Sequence, residues 1–199
     1  IWYIAKAPLT VTAEDKPVTY GDECPVLTET YTGFVNGETK AVLGGTFQID
    51  TPYTKGMGAG TYFIAVSGYI SGNYEISYAR GTLTVGLAPF SVSTSGTYVY
   101  TGLEQVVAYT VTGVDGAVLV AGTDFIVLED ASGTFADDYV LKVTGTGNYT
   151  GTETSAWSIA KAPLTVKADD KNVVYNGDVP ELTYTITGFV NGESEAVLI

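Results

Sequence analysis

The sequence predicts an all-β protein of tandem small antiparallel modules, sandwich-like or β-grasp-like, arranged as an elongated array. Three observations support this prediction. Apolar and polar residues alternate with a period of two over short segments, as they do in half-buried strands. Glycine is frequent, with 24 among 199 residues, and turn-forming pairs recur at short spacing. The segment IAKAPLTV occurs twice, at residues 4–11 and 159–166, which indicates an internal repeat.

The strands are best defined where apolar side chains recur at every second residue. Such runs are Leu9, Val11 and Ala13; Tyr74, Ile76 and Tyr78; and Tyr139, Leu141 and Val143. These side chains are expected to face a core. One short helical turn is predicted at residues 36–43 and at its copy, residues 191–198, because Glu, Ala and Leu favour helix.

Ala-Pro pairs mark the starts of the repeats, with Pro8, Pro89 and Pro163 in equivalent places. They divide the chain into the last strand of a preceding module (1–6), a first module (7–86), a second, related module (87–161) and a truncated third module (162–199). The third module copies the first but lacks counterparts of residues 44–85. Because the sequence starts in the middle of this pattern, we interpret it as an excised fragment whose export signal lies elsewhere.

The junctions between modules are predicted to be stiff. Across each proline the alternating apolar residues switch between odd and even positions, for example from Leu83 and Val85 to Phe90. The chain on the two sides of the proline therefore faces different cores. Each proline lacks a backbone N–H and so donates no hydrogen bond to a neighbouring strand. No Gly/Ser linker separates the modules. We therefore expect the modules to lie in line, with Trp157 buried near a boundary.

Composition argues against several classes of function. Nine basic and 22 acidic residues give a formal net charge of −13, which repels nucleic acid and anionic membranes. The chain has no histidine, the commonest general base and a usual zinc ligand. No apolar run reaches the length of a membrane helix. Cys24 aligns with Val179 of the third module, and we interpret it as a buried, unreactive side chain.

Two groups of residues suggest ligand chemistry. The glycine run GMGAG at residues 56–60 could be a phosphate-binding loop, but we interpret it as a turn before a strand. Acidic residues of the second module offer oxygen ligands for Ca²⁺ without the spacing of an EF-hand, and solvated loop acids are the favoured interpretation. They are Asp124, Glu129, Asp130, Asp137 and Asp138.

Tyrosines and lysines suggest two further activities. The chain has 15 tyrosines, which could stack on sugar rings, but we expect those that alternate with polar residues to fill small cores. They are Tyr62, Tyr74, Tyr78, Tyr100 and Tyr139. Lys6 and Lys161 could form isopeptide crosslinks like those of some bacterial adhesins, and we interpret them as surface lysines. No catalytic, cofactor-binding or metal-binding residue is assigned.

Several motifs resemble one family. KAPLTVTAEDKPVTYGD, LTETYTGFVNGET, GAGTYFIAV and GNYEISYARGTLTV resemble the YGX-type MBG domains that occur in tandem in large bacterial surface and secreted proteins. The second module, with YVYTGLEQ, VAGTDFIVLED and LKVTGTGNYTGTETSAWSI, looks like a related bacterial repeat with a tyrosine-threonine-glycine start. The resemblance implies adhesin-like stalks or presentation modules, and it supplies no catalytic residues.

The predicted function is that of a non-catalytic, extracellular repeat module acting as a stalk or adhesin-like presentation unit. The alternative is direct binding of a carbohydrate or a host glycoprotein. Host or self surface proteins and glycans are the expected partners, with no cofactor, no nucleic acid and no membrane insertion.

The truncated third module is expected to leave an apolar face uncovered. Its members are Leu164, Val166, Val174, Leu182, Tyr184, Ile186 and Phe189. We therefore expect residues 162–199 to be poorly ordered, or to be completed by a neighbouring molecule or by residues 1–6, with weak self-association as the result.

Overall fold

The computed structural model describes residues 2–198 and confirms the all-β prediction. Apart from strands, these residues form three 3₁₀ turns, Lys40–Val42, Val114–Gly116 and Glu195–Val197. The first and last lie where the sequence predicts a helical turn, whereas the middle one was not predicted. No helix within residues 2–198 has the length and apolar character needed to cross a bilayer.

The described chain forms two compact units. One comprises the chain up to Phe90 together with Thr112–Phe125 and Gly145–Gly151. The other comprises Ser91–Val111, Ile126–Thr144 and the chain from Thr152 onwards. Parts of the second sequence module thus contribute to each unit, and the module boundaries drawn from the sequence remain a prediction.

The first module contains two small sheets. Its strands are β1 (Ala7–Ala13), β2 (Lys16–Thr19), β3 (Glu29–Thr32), β4 (Gly44–Asp50), β5 (Gly60–Ile70), β6 (Tyr74–Ala79) and β7 (Gly81–Gly86). One sheet has the order β3-β1-β6, with β1 antiparallel to β3 and parallel to β6. The other has the order β2-β7-β5-β4, with β2 and β7 parallel and the remaining pairs antiparallel.

Alternation places the core of the first module as predicted. Leu9, Val11 and Ala13 of β1 are buried, and the intervening Thr10 and Thr12 are half-buried. The proline at the start of β1 is exposed, so its missing N–H costs no buried hydrogen bond. The hydrophobic core joins residues from both sheets: Val11, Ala13, Tyr53, Ile64, Val66, Leu83 and Val85.

The second module is also made of strands. They are β8 (Ser91–Ser95), β9 (Tyr98–Val99), β10 (Gln105–Val106), β11 (Ala108–Thr112), β12 (Phe125–Glu129), β13 (Ser132–Gly133), β14 (Asp138–Gly145) and β15 (Thr152–Ala160). The largest sheet has the order β12-β14-β15-β9. Leu141 and Val143 of β14 are fully buried, which confirms the alternation predicted there.

The third module repeats the opening ladder of the first. β16 (Thr165–Ala168) pairs antiparallel with β17 (Tyr184–Thr187), and Thr165 faces Thr187 as Thr10 faces Thr32 in the first module. Residues predicted to lack a cover are indeed exposed: Leu164, Val166, Val174, Leu182 and Tyr184. Ile186 and Phe189 are half-buried.

The predicted switch of buried residues between odd and even positions across the prolines is observed at the junction between the first and second modules. Leu83 and Val85 are buried before the proline, and Phe90 is buried after it. At the start of the chain Trp2 and Ile4 are exposed, and residues 2–6 form no strand. Ile1 and Ile199, which belong to the predicted first and last segments, lie outside the described residues.

Candidate functional site

The glycine run at residues 56–60 forms a turn that leads into β5, as expected. Gly56 has φ of 90°, and β5 begins at Gly60. The backbone amide of Ala59 donates to the side-chain oxygen of Asn148, at 2.9 Å. That amide is therefore already hydrogen-bonded to a side chain of the second module, and both residues belong to the first unit.

The loop acids of the second module have structural roles. Asp124 accepts from the Val120 amide at 2.9 Å, and Asp137 accepts from the Asp138 amide at 2.8 Å. Glu129 lies 3.7 Å from the Lys142 ammonium. Within residues 2–198 no three His, Cys, Asp or Glu side chains come together in a metal-binding group.

The five tyrosines expected in small cores differ in burial. Tyr74 is buried, whereas Tyr62, Tyr100 and Tyr139 are half-buried. Tyr78 is exposed, contrary to the expectation. Its hydroxyl accepts from the Tyr69 amide and donates to the Tyr69 carbonyl, so it lies across β5 instead of in a core. Two buried tyrosines, Tyr53 and Tyr149, were not singled out from the sequence.

The interpretation of Cys24 as buried is wrong. The thiol is exposed and lies in the loop between β2 and β3, with Sγ 3.6 Å from the Pro25 carbonyl oxygen. Its counterpart Val179 is exposed as well. An apolar residue at the equivalent position therefore did not indicate burial, because the whole loop lies outside the sheets.

The two candidate crosslinking lysines have different surroundings. The Lys6 ammonium donates to the Ser71 carbonyl at 2.8 Å. Lys161 lies on the wall of a cleft of about 470 Å³ in the second unit. Neither lysine has a carboxylate within ion-pair distance among the contacts of the described residues.

The first junction, between the first and second modules, lies within the first unit and is closely packed. The Tyr20 and Tyr149 rings meet edge to face, with centroids 5.6 Å apart. A Cβ on Gly21, whose φ is 90°, would lie 2.5 Å from Val114. The backbone continues the contact, since the Ala88 amide donates to the Asn148 carbonyl at 2.9 Å.

Polar side chains surround this first junction. Lys55 and Asp115 form an ion pair at 3.0 Å, and the carboxylate of Asp115 raises the pKa of Lys55 by hydrogen bonding and by charge. This pair is partly solvated, so its contribution to stability is small. Asn148 accepts from Ala59 on the same side. Together these contacts connect Lys55 and Ala59 of the first module to Asp115 and Asn148 of the second.

The second junction, between the second and third modules, lies within the second unit and again involves a tyrosine and a glycine of the earlier module. Tyr100 occupies the position of Tyr20, and its hydroxyl donates to the Glu193 carboxylate at 2.5 Å. The Asn191 amide donates to the Gly102 carbonyl at 3.0 Å. A Cβ on Gly102, with φ of 73°, would lie 2.5 Å from the Asn191 Cβ atom.

The two junctions share one design. On the earlier module, a tyrosine is followed by a glycine with positive φ, Gly21 or Gly102. The later module presents a tight turn whose two central residues both have positive φ, Asp115-Gly116 or Asn191-Gly192. Such turns need Asn or Asp followed by Gly. The first module carries the same turn at Asn36-Gly37.

Sequence reasoning found part of these junctions. It singled out the tyrosine-glycine turns and the stiff linkerless joints, but not Lys55, Asp115, Asn148 or Asn191. The signal present in the sequence was the recurrence of an Asx-Gly pair at matching places of the three modules. The partner of each turn lies far along the chain and could not be assigned from spacing.

Comparisons with known proteins agree with the repeat pattern. A family model described as MBG domain (YGX type) matches residues 9–84 and again residues 164–199, which together make up more than half of the chain. No curated protein matches the chain. The two matched segments correspond to the first module and to its partial copy.

Proposed function

Because the chain belongs to the MBG domain family (YGX type), we propose that its modules are non-catalytic spacers of a bacterial surface protein. In this role they hold or present a binding region at the cell surface, as a stalk or an adhesin-like unit does. The family is a type of surface-protein repeat module, which supports a cell-surface location.

The repeated junction is the observation that carries this proposal. At each junction a glycine with positive φ lets the backbone of one module approach the turn of the next to within van der Waals contact. A flexible tether does not need close contacts between modules, whereas a spacer of defined length requires them. The use of one design twice supports a structural role.

Small-angle scattering tests the spacer role on the whole chain. A compact globule of this length has a radius of gyration of about 16 Å. Linkerless junctions predict modules placed in line, and hence a value well above that. A measured value near 16 Å would contradict the proposal.

One observation favours direct glycan binding as a second candidate. The cleft of the second unit is lined by Tyr100, Phe135 and Phe189, and aromatic rings in a concave surface can stack on sugars. A glycan-array screen tests this candidate. Specific binding that is lost in Phe135→Ala would favour it, because Phe135 is exposed and its removal costs little stability.

A further inference from the structure

The turn that the later module presents has the same backbone form at both junctions. In residues 114–117 and in residues 190–193, the amide of the fourth residue donates to the carbonyl of the first, at 3.1 Å and 3.0 Å. The second and third residues have positive φ in both turns. The backbone therefore does not distinguish the two junctions, and the difference between them lies in the side chains.

At the first junction this turn presents a negative charge to a positive one. The carboxylate of Asp115 lies 3.0 Å from the ammonium of Lys55 in the first module. The fourth residue of the turn is Ala117, which brings no polar side chain. The first junction thus pairs an acidic turn with a basic neighbour.

At the second junction the turn presents a side-chain amide and a carboxylate. The Asn191 amide donates to the carbonyl of Gly102 at 3.0 Å, and the Glu193 carboxylate accepts from the hydroxyl of Tyr100. An aspartate at position 191 has only acceptor oxygens, so it would place a negative charge against the carbonyl oxygen of Gly102. Asparagine and aspartate are therefore not interchangeable here.

The second module has a different residue at the place where the first module has Lys55. Lys55 stands four residues before Ala59, and the residue four before the equivalent Ala136 is Ser132. The Ser132 hydroxyl donates to the carboxylate of Glu104 at 2.6 Å. This position thus carries a hydroxyl bound to an acid instead of an ammonium.

The side chains of the turn follow the type of module. The first module has the same turn, residues 35–38, closed by the same hydrogen bond at 3.0 Å. Its side chains are Asn36 and Glu38, the same types as at positions 191 and 193 of its partial copy. Of the three modules, only the second has aspartate and alanine at these positions.

We propose that this turn selects the type of module that can precede it, so that the two types alternate. An Asp-Gly-Ala turn fits a module that offers a lysine, as the first does with Lys55. An Asn-Gly-Glu turn fits a module that offers a backbone carbonyl and a tyrosine hydroxyl, as the second does at Gly102 and Tyr100. The wrong combination leaves a charge or a polar group unpaired, which is a common source of specificity. This inference goes beyond the spacer role, because the selection would operate equally in an array that binds a ligand.

Two isosteric exchanges in the full chain test the selection, because asparagine and aspartate both tolerate positive φ and preserve the turn. At pH 7 and low salt, Asp115→Asn should lower the thermal midpoint by about 1 to 3 °C, since Lys55 keeps only Glu23, at 3.8 Å. Asn191→Asp should lower it by about 2 to 5 °C. Asn36→Asp, in a turn that lies at neither junction, is the control and should change it by less than about 1 °C.

Salt separates the two kinds of contact. In about 1 M NaCl the screening length falls to about 3 Å, so the loss in Asp115→Asn should largely disappear. The loss in Asn191→Asp should persist in part, because a hydrogen bond between uncharged groups has been removed. Calorimetry at the two salt concentrations gives both comparisons.

A rescue variant distinguishes selection from a merely structural role. Ser132→Lys places an ammonium in the second module at the position that Lys55 has in the first. It should restore at least about half of the midpoint lost in Asn191→Asp, and it should give no gain when Asn191 is retained. Comparison of the double variant with both single variants accounts for any cost of losing the contact between Ser132 and Glu104.

Three results would overturn the proposal. The first is a pair of midpoints for Asp115→Asn and Asn191→Asp that match the Asn36→Asp control. The second is the same salt dependence in both exchanges. The third is a double variant of Ser132→Lys and Asn191→Asp whose loss equals the sum of the two single losses, which would show that lysine and aspartate do not recognise each other at this junction.

Discussion

The two tryptophans show how position within the module decides the environment of a residue. Trp157 in β15 is 7% exposed, stacks on Tyr139 with centroids 4.7 Å apart, and donates its indole N–H to the Asp130 carbonyl at 2.9 Å. Trp2 is 98% exposed. The predicted burial of Trp157 is therefore confirmed, and Trp2 provides a natural control.

We expect Trp157→Ala to lower the free energy of unfolding by about 3 to 5 kcal/mol, because it removes a buried ring and leaves a cavity. Trp157→Phe should lose less, since a ring remains on Tyr139. Trp2→Ala should change stability by less than about 0.5 kcal/mol. Denaturant titration of the three variants checks this, and similar losses for both alanine variants would contradict it.

Glycines with positive φ allow a second matched comparison. Gly21 and Gly56 both have φ of 90°, but a Cβ on Gly21 would meet Val114 at 2.5 Å and one on Gly56 would meet nothing within 4 Å. We expect Gly56→Ala to cost about 1 kcal/mol through backbone strain. Gly21→Ala should cost about 1 to 3 kcal/mol more through steric overlap at the first junction.

Thermal and chemical unfolding of these two glycine variants provide the measurement. A double variant with Val114→Ala should recover part of the loss caused by Gly21→Ala. Equal losses for the two single variants would mean that the first junction has no close contact at Gly21.

The sequence predicts buried residues well where they alternate within a strand and poorly where they lie in loops. Leu9, Val11, Leu141 and Val143 follow period two and are buried as predicted. Cys24 lies in a loop with no period, and its apolar character said nothing about its burial. Local pattern determines the orientation of a side chain relative to its own sheet, but not whether a loop packs on anything.

At the scale of elements, the 3₁₀ turn of each MBG-type module is attached to the second strand of its opening ladder. In the first module Lys40 of the turn contacts Glu29 of β3 at 3.0 Å. In the third, Glu195 of the turn accepts from Tyr184 of β17 at 3.1 Å. The 3₁₀ turn is thus attached to the same strand in both modules, although the residues that make the contact differ in type. Residue type alone would not reveal this equivalence.

β6 is attached to the segment before the same 3₁₀ turn through Tyr74. Tyr74→Phe removes the hydrogen bonds to Val35 and Glu38 while keeping the ring on Phe34. We expect a loss of about 1 to 2 kcal/mol in the free energy of unfolding. Tyr78→Phe removes two hydrogen bonds to Tyr69 at an exposed position, so water can replace them and the loss should be smaller.

Equilibrium denaturation of the two phenylalanine variants separates these expectations. A larger loss in Tyr78→Phe than in Tyr74→Phe would show that the Tyr74 hydroxyl does not hold the turn.

For the molecule as a whole, the pH dependence of stability rests on carboxylates, because the chain has no histidine. Within residues 2–198 three side-chain carboxylates have a clearly lowered pKa: Glu14, Glu29 and Asp169. Burial acts to raise the pKa of Glu29, but hydrogen bonds from Lys40 and Tyr31 outweigh it. Hydrogen bonds lower the pKa of Glu14, chiefly from Thr28, and that of Asp169, from Thr183 and Thr185.

We expect stability to be level between about pH 6 and 7.5, where no side chain with an ordinary pKa titrates. Below the ordinary glutamate pKa of 4.5 the unfolded chain binds more protons than the folded one, so stability falls as pH drops through the lowered values. Denaturation midpoints measured from about pH 3 to 8 check this. A transition near neutral pH would contradict it.

The repetition of the first module in the third was predicted more securely than the contacts between modules. The duplicated segment IAKAPLTV located the repeats, and the family match covers the same two segments. The partners across each junction, such as Lys55 with Asp115, are about 60 residues apart in sequence, so no local pattern relates them.

The first and last strands of the first module, β1 and β7, each pair in parallel with another strand, and this has a mechanical consequence. β1 is parallel to β6 over six residue pairs, and β7 is parallel to β2 over four. A pulling force applied at the two ends of the module acts along these strands, so each must slide past its neighbour with all its ladder bonds strained together. Hairpins pulled open from their free ends lose those bonds one at a time. The arrangement therefore loads these two ladders in shear when the ends of the first module are pulled apart.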